Sequence, residues 1–222
     1  MLHQTQMNFI IIYVAKMNKI NYQKELEKVI QQNEKNSVTP SLLLHACCAP
    51  CSSYCLEYLS QYFNITVFYF NPNISLKEEY DYRLNEEKRL ISLMKFKNPV
   101  KIIDGTYDPQ SFFTAAKGLE NEPEGGKRCL ECFKLRLNES AIIAKKIGAD
   151  YFTTTLTISP LKNADALNSI GVECAKNHDV NWLYSDFKKR EGYKRSIVLS
   201  HQFNLYRQNY CGCVFSKRDS NN

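Results

Sequence analysis

No stretch of this 222-residue chain is apolar for long enough to cross a membrane. The run Phe9–Ala15 (FIIIYVA) has only seven residues. No Lys or Arg precedes it and no small-residue cleavage site follows, which argues against a secretory signal. Residues 1–16 read instead as an upstream extension, with Met17 a plausible true start. Residues 1–20 are expected to be poorly structured and to lie outside the folded unit. Internal repeats and low-complexity segments are absent as well. Glycine is scarce, at eight residues, and none falls in the turn after the first apolar strand. That turn therefore has no flexible backbone with which to cradle a nucleotide phosphate.

What the chain does contain is a core and many thiols. Its 44% apolar content suits one globular domain over residues 21–217, with a short tail at 218–222. The net charge of +6, from 29 basic and 23 acidic residues, is compatible with a nucleic-acid partner without demanding one. Nine cysteines, an odd number grouped in pairs, fit the reducing cytosol and metal or redox chemistry better than a disulfide scaffold.

Four of those nine fall within Cys47–Cys55 (CCAPCSSYC). The apolar run Leu42–Leu44 leads into them and reads as a buried strand. The thiols thus sit where a strand ends and a helix begins. In an open α/β sheet this carboxyl-end crevice is where ligands bind. A helix N-terminus also favours the thiolate that metals need. Adjacent Cys47 and Cys48 cannot pair with each other without strain, but both can face one metal group.

Periodicity predicts helices over 21–33 and 51–62, around a first strand at 41–45. Residues 65–70 are apolar throughout, as in a parallel strand covered on both faces. Ser75–Glu78 reads as a capping box opening a helix to about Lys95. A strand at 100–104 and a helix at 109–117, stopped by Gly118, precede a polar loop at 120–128. A helix then runs from Cys129 to Gly148. Next come a strand at 151–156, a loop at 157–160, a helix at 164–176 and a last strand within 181–187. This alternation predicts a doubly wound, Rossmann-like parallel sheet of about five strands.

Cys129-x-x-Cys132 has the spacing of zinc, iron–sulfur and dithiol sites. With Cys47 and Cys48 it offers four thiolates from two loops, the set a 4Fe–4S cluster requires; structural zinc is the alternative. Cys211-Gly-Cys213 is either a strained, reducible disulfide or a pair of further ligands. Cys51 is a candidate ligand of a second iron, or an accessory thiol. Cys55 and Cys174 read as ordinary core or surface cysteines. The stretch Asp186–Arg195 is basic with interleaved aromatics, and Arg207 and Tyr210 follow it. Lys188, Lys189, Arg190, Lys194, Arg195 and Arg207 can neutralise phosphates, and Tyr210 can stack on an unpaired base; a solvated surface run is the alternative.

Taken in order, HACCAPC, EGGKRCLECFKLRL, TTLTISPLKN, DFKKREGYKRS and LYRQNYCGC resemble the cobalamin-independent epoxyqueuosine reductases, from about Asn21 to Lys217. The resemblance implies reduction of the epoxide of epoxyqueuosine, at the wobble position of tRNA, to queuosine. It implies a 4Fe–4S cluster on Cys47, Cys48, Cys129 and Cys132, and an adjacent iron. It makes Cys211 and Cys213 a redox-active pair and calls for a low-potential electron donor. Asp186 and Tyr193 are the candidate proton donors. Two other classes compete. The helix after Cys129 resembles that of ATP-dependent PP-loop tRNA-modifying enzymes, but their glycine-rich phosphate loop is missing. A zinc-stabilised RNA-binding module would contain zinc and be colourless.

Overall fold

The computed structural model describes residues 20–219. The expectations for the upstream extension and the last residues of the tail lie outside the described residues. Strand β1 (Ser41–His45) is the centre of a five-stranded, wholly parallel sheet. Strands β2 (Asn64–Tyr69) and β3 (Val100–Asp104) extend it on one side, and β4 (Tyr151–Thr154) and β5 (Asn181–Trp182) on the other, in the order β3-β2-β1-β4-β5. This is the doubly wound sheet that the alternating pattern predicts.

Side chains along β1 alternate between two cores, as the pleat requires. Leu42 and Leu44 enter a core shared with α1 (Tyr22–Lys35), α2 (Ala49–Leu59) and α3 (Lys77–Leu93). Leu43 enters the opposite core, with α5 (Lys127–Lys146) and α6 (Ala164–His178). The short helix α4 (Pro109–Ala116) packs on α5. Two helices lie beyond the periodicity reading: α7 (Gly192–Gln202), which runs along α2, and α8 (Val214–Asp219). The basic residues of α7 mask its buried positions, Ser196, Leu199 and Ser200, only one of which is apolar.

Two helix starts differ from expectation for a clear physical reason. Helix α2 begins at Ala49 rather than residue 51, because Pro50 is suited to a first helical turn. Ser75 is no cap: the N-cap position is Leu76, and the Ser75 hydroxyl is buried without a hydrogen-bond partner. The Ser75 carbonyl instead accepts from Tyr107 Oη at 2.7 Å, while Glu78 and Glu79 in the first turn complement the helix dipole. Strand β5, expected within 181–187, covers Asn181–Trp182. The Asn168 side chain takes both backbone groups of Ser185, from N at 3.1 Å and to O at 2.8 Å, so the chain leaves the sheet.

The chain leaves β1 toward β2 and leaves β4 toward β5, in opposite directions across the sheet. The ends of these two neighbouring strands therefore open a crevice at the topological switch point. Cys47 and Cys48 follow β1 there, and a 3₁₀ turn, Thr155–Ile158, follows β4.

Under the cysteine turn lies an unpaired acid. Glu87 of α3 is fully buried, and neither carboxyl oxygen has a hydrogen-bond partner. Burial drives its carboxyl up to about 8, from an ordinary value of 4.5. The folded state therefore holds a proton that the unfolded chain releases, and this contribution to stability is lost as pH rises from the ordinary value through 8. Glu87→Gln should be more stable than the parent at pH 8, by roughly 1–4 kcal/mol. The gain should shrink to nothing at pH 4, as measured by urea midpoints across that range.

Candidate active site

The Sγ atoms of Cys47, Cys48 and Cys51 all lie within 4.8 Å of one another, a group that could hold a metal ion. Cys48 caps α2 in an extended conformation, so Cys47 and Cys48 project from the strand end and Cys51 from the first helical turn. Cys47 and Cys48 Sγ are 3.8 Å apart. Cys47 is further held by Thr155, whose Oγ1 is 3.2 Å from its backbone N and 3.4 Å from its Sγ. Hydrogen bonds from Cys48 and Cys51 hold the Cys47 thiol well below the usual range, and the positive charges of Arg136 and Lys162 add to this. The same sharing pushes Cys48 up to about 12 and raises Cys51.

Cys129 and Cys132 come from the first turns of α5 and line an adjoining small cavity of about 30 Å³, with Cys211 and Cys213. They are not members of the tight trio. Gly125 N donates to Cys129 Sγ at 3.2 Å, and burial pushes Cys132 up to about 12. Cys211 and Lys162 line both this cavity and the larger one beside the trio. All nine cysteines are free thiols in this structure, including Cys55 and Cys174, which are both buried.

One turn beyond Cys132, Arg136 stands between the two thiol groups, 1% exposed. Its guanidinium donates to Asn71 Oδ1, and Asn71 Nδ2 donates to Ala46 O at 3.0 Å, so the cation anchors the cysteine turn. Arg136 Nε lies 3.3 Å from His45 Nε2, which is also 3.0 Å from the Phe70 carbonyl; a given tautomer makes only one of these bonds. Burial and the Arg136 charge lower His45 to about 3, so the ring is neutral. Among the described residues no carboxylate pairs with Arg136, and the ionisable groups nearest its charge are the sulfurs of Cys132, Cys47 and Cys211.

The larger cavity, about 370 Å³, opens over the trio. Tyr193, Arg207 and Tyr210 line it, together with Lys162 and Glu124. Arg83 lies over the Tyr210 ring at 5.2 Å and donates to the Cys211 carbonyl at 3.4 Å, as Asn73 does at 3.2 Å. Gly212 has φ +101°, and a Cβ there would fall 2.8 Å from Ile74 Cγ1.

Other residues singled out from the sequence lie elsewhere. Asp186 faces a third cavity and pairs with Lys188 at 3.0 Å. Lys188 also donates to Thr157 O at 2.9 Å, which makes it a clamp on the β4 turn. Arg190 pairs with Glu27, Arg195 grips Glu57 with two hydrogen bonds, and Lys194 pairs with Glu191. Lys189 is exposed. Sequence reading missed Arg136, Lys162 and Glu124. Only Arg136 carried a signal: it sits four residues after Cys132, on the same face of a predicted helix.

The fold and the site define an α/β protein of nucleotide-binding topology in which thiols replace the phosphate loop. Comparison with known proteins is more specific. The family model described as Epoxyqueuosine reductase QueH matches residues 42–219. Proteins described as Epoxyqueuosine reductase QueH are 45% identical in Staphylococcus epidermidis, over 93% of this chain and 88% of that one, and 43% in Streptococcus pyogenes serotype M1, over 92% and 82%. The Thermotoga maritima protein of the same description is 34% identical, over 79% of this chain and 90% of its own length. The chain belongs to the epoxyqueuosine reductase family, a family of oxidoreductases.

Gly212→Ala should destabilise the protein by about 1–3 kcal/mol, since the new side chain meets both an unfavourable φ and Ile74. Thermal unfolding of the variant measures this.

Proposed function

We propose that this chain reduces the epoxide of epoxyqueuosine in tRNA to the alkene of queuosine, with Cys47, Cys48, Cys129 and Cys132 holding a 4Fe–4S cluster and Cys51 an adjacent iron. The observation that carries the cofactor is Arg136. A buried cation without a carboxylate needs compensating negative charge. Thiolates bound to an iron–sulfur cluster supply it, and an all-sulfur donor set suits that group. Zinc on the Cys47, Cys48 and Cys51 trio is the competing occupant.

The reaction takes two electrons and two protons: both carbon–oxygen bonds of the epoxide break, a carbon–carbon double bond forms, and the oxygen leaves as water. When bound, the cluster supplies low-potential electrons one at a time. The protein binds and orients the nucleoside. The 370 Å³ cavity is of ligand-pocket size and meets the thiols at one end. Tyr210 and Arg207 offer an aromatic face and a cation to the modified base, and Tyr193, on the same wall, is the candidate proton donor. Asp186, facing the third cavity, is the more remote candidate. Cys211 and Cys213 serve as the redox-active pair, cycling between dithiol and disulfide, because Cys211 adjoins both thiol groups. Lys189 and Arg207 meet tRNA phosphates, while Lys188, Arg190, Lys194 and Arg195, each already paired with a carboxylate, mainly shape the face that presents them. A low-potential donor protein completes the reaction in the reducing cytosol.

Cys129→Ala tests this reading. Anaerobically purified parent protein should be brown, contain iron and sulfide, and reduce epoxyqueuosine in tRNA. The variant should lose the visible absorbance and the turnover together. Turnover that survives loss of the cluster, or colourless parent protein containing zinc, would overturn the cofactor assignment.

A further inference from the structure

The third cavity, about 390 Å³, contributes to the chemistry above only the remote candidate Asp186. It lies beside the substrate cavity, about 370 Å³, and Lys162 lines both. Between them runs the turn Ser159–Lys162, closed by a hydrogen bond from Lys162 N to Ser159 O at 3.2 Å. Lys188 stiffens it by donating to Thr157 O at 2.9 Å and to Lys162 O at 3.4 Å. On this turn stands Leu161, 74% exposed, the most exposed large apolar side chain among the described residues. A rigid turn that holds a leucine in water gains nothing in stability from it.

The lining of the third cavity matches a nucleobase and its phosphate. Asn163, whose Oδ1 already accepts from the backbone N of Asp165 and Ala166, lines the cavity with its amide group. Asp165 and Asp186, the latter paired with Lys188, add carboxylate oxygens that can accept from a base edge. Tyr22 adds an aromatic wall, its ring stacked on Tyr184 at 5.8 Å. Lys189 is exposed, and among the described residues it has no ion-pair partner. It can therefore meet a phosphate, unlike Lys188, Arg190 and Arg195, which are already paired.

We propose that the third cavity is a second nucleotide subsite, holding the base next to the reacting nucleotide in the RNA strand, with Leu161 as an apolar wedge between the two bases. The strand crosses the turn at Lys162, which faces the phosphate joining the two nucleotides, and Lys189 meets the next phosphate along. This deepens, and rests on, the reading of the site as one that acts on a nucleoside within RNA. It makes the recognised unit a splayed pair of adjacent nucleotides, not a single flipped base. Splaying breaks the stacking between them, and the wedge replaces it with contact to Leu161.

The test is a double-mutant cycle in binding. The probes are an RNA stem–loop carrying the epoxide nucleoside in its loop, and two versions with an abasic residue on either side of it. Dissociation constants are measured by fluorescence anisotropy for parent protein and Leu161→Ala. One abasic loop should bind the parent about tenfold more weakly than the intact loop. Leu161→Ala should lose a similar factor on the intact loop and little more on that abasic loop. Equal binding of all three loops by the parent overturns the subsite, as does simple multiplication of the two losses. Lys189→Gln should lower the slope of log affinity against log salt by about one; an unchanged slope removes Lys189 from the contact. A parent protein that binds the loops without coupling, yet reduces the epoxide, sinks this inference alone. One that neither binds nor reduces sinks the reductase reading with it.

Discussion

The site is organised around one buried positive charge. Arg136 is almost wholly removed from water, and among the described residues it faces thiols and neutral polar groups. Such a cation costs several kcal/mol to bury unless something nearby is negative. The requirement couples three segments distant in sequence: the turn after β1, the start of α5 and the Cys211 loop. Each of them brings sulfur toward the guanidinium. Burial, with the same charge beside it, keeps His45 neutral, and Asn71 transmits the anchor to the backbone of the cysteine turn. A lysine could not make this set of directed contacts, because it lacks the planar fork.

The sheet determines where this happens. Parallel strands that leave the centre in opposite directions open a crevice at the switch point, and the loops after β1 and β4 border it. Related architectures place a glycine-rich phosphate cradle on the first loop. Here Cys47, Cys48 and Cys51 occupy that position, and a thiol group that could hold a metal ion stands where the phosphate cradle would be. The helix N-terminus serves both cases, since it favours a phosphate and a thiolate for the same electrostatic reason.

The basic stretch between residues 186 and 195 has a different balance from its composition. Glu27, Glu57, Asp186 and Glu191 take up four of its cations. Exposed pairs of this kind contribute little stability, but they set geometry. Arg195 ties α7 to α2, Arg190 ties the loop before α7 to α1, and Lys188 fastens the turn after β4. What remains for a polyanion is Lys189, unpaired among the described residues, together with Arg207 and Lys162 at the cavity.

By itself the sequence determined the alternation of strands and helices, because apolar runs such as 65–70 and amphipathic stretches such as 21–33 are local properties. It also marked the cysteine pairs, since two or three residues of spacing decide whether thiols can share a ligand. It misjudged Ser75, whose hydroxyl is buried without a hydrogen-bond partner instead of capping α3, and it left open where β5 ends within 181–187, which Asn168 decides by holding Ser185. Helix α7 stayed hidden because its basic residues obscure the apolar side. Only the tertiary structure decided that Cys51, not Cys129 or Cys132, completes the tightest thiol trio, that Arg136 stands among the sulfurs, and that Lys162 borders three cavities at once. Each of those facts depends on distances between residues far apart along the chain, and such distances exist only once the sheet has set the order of its strands.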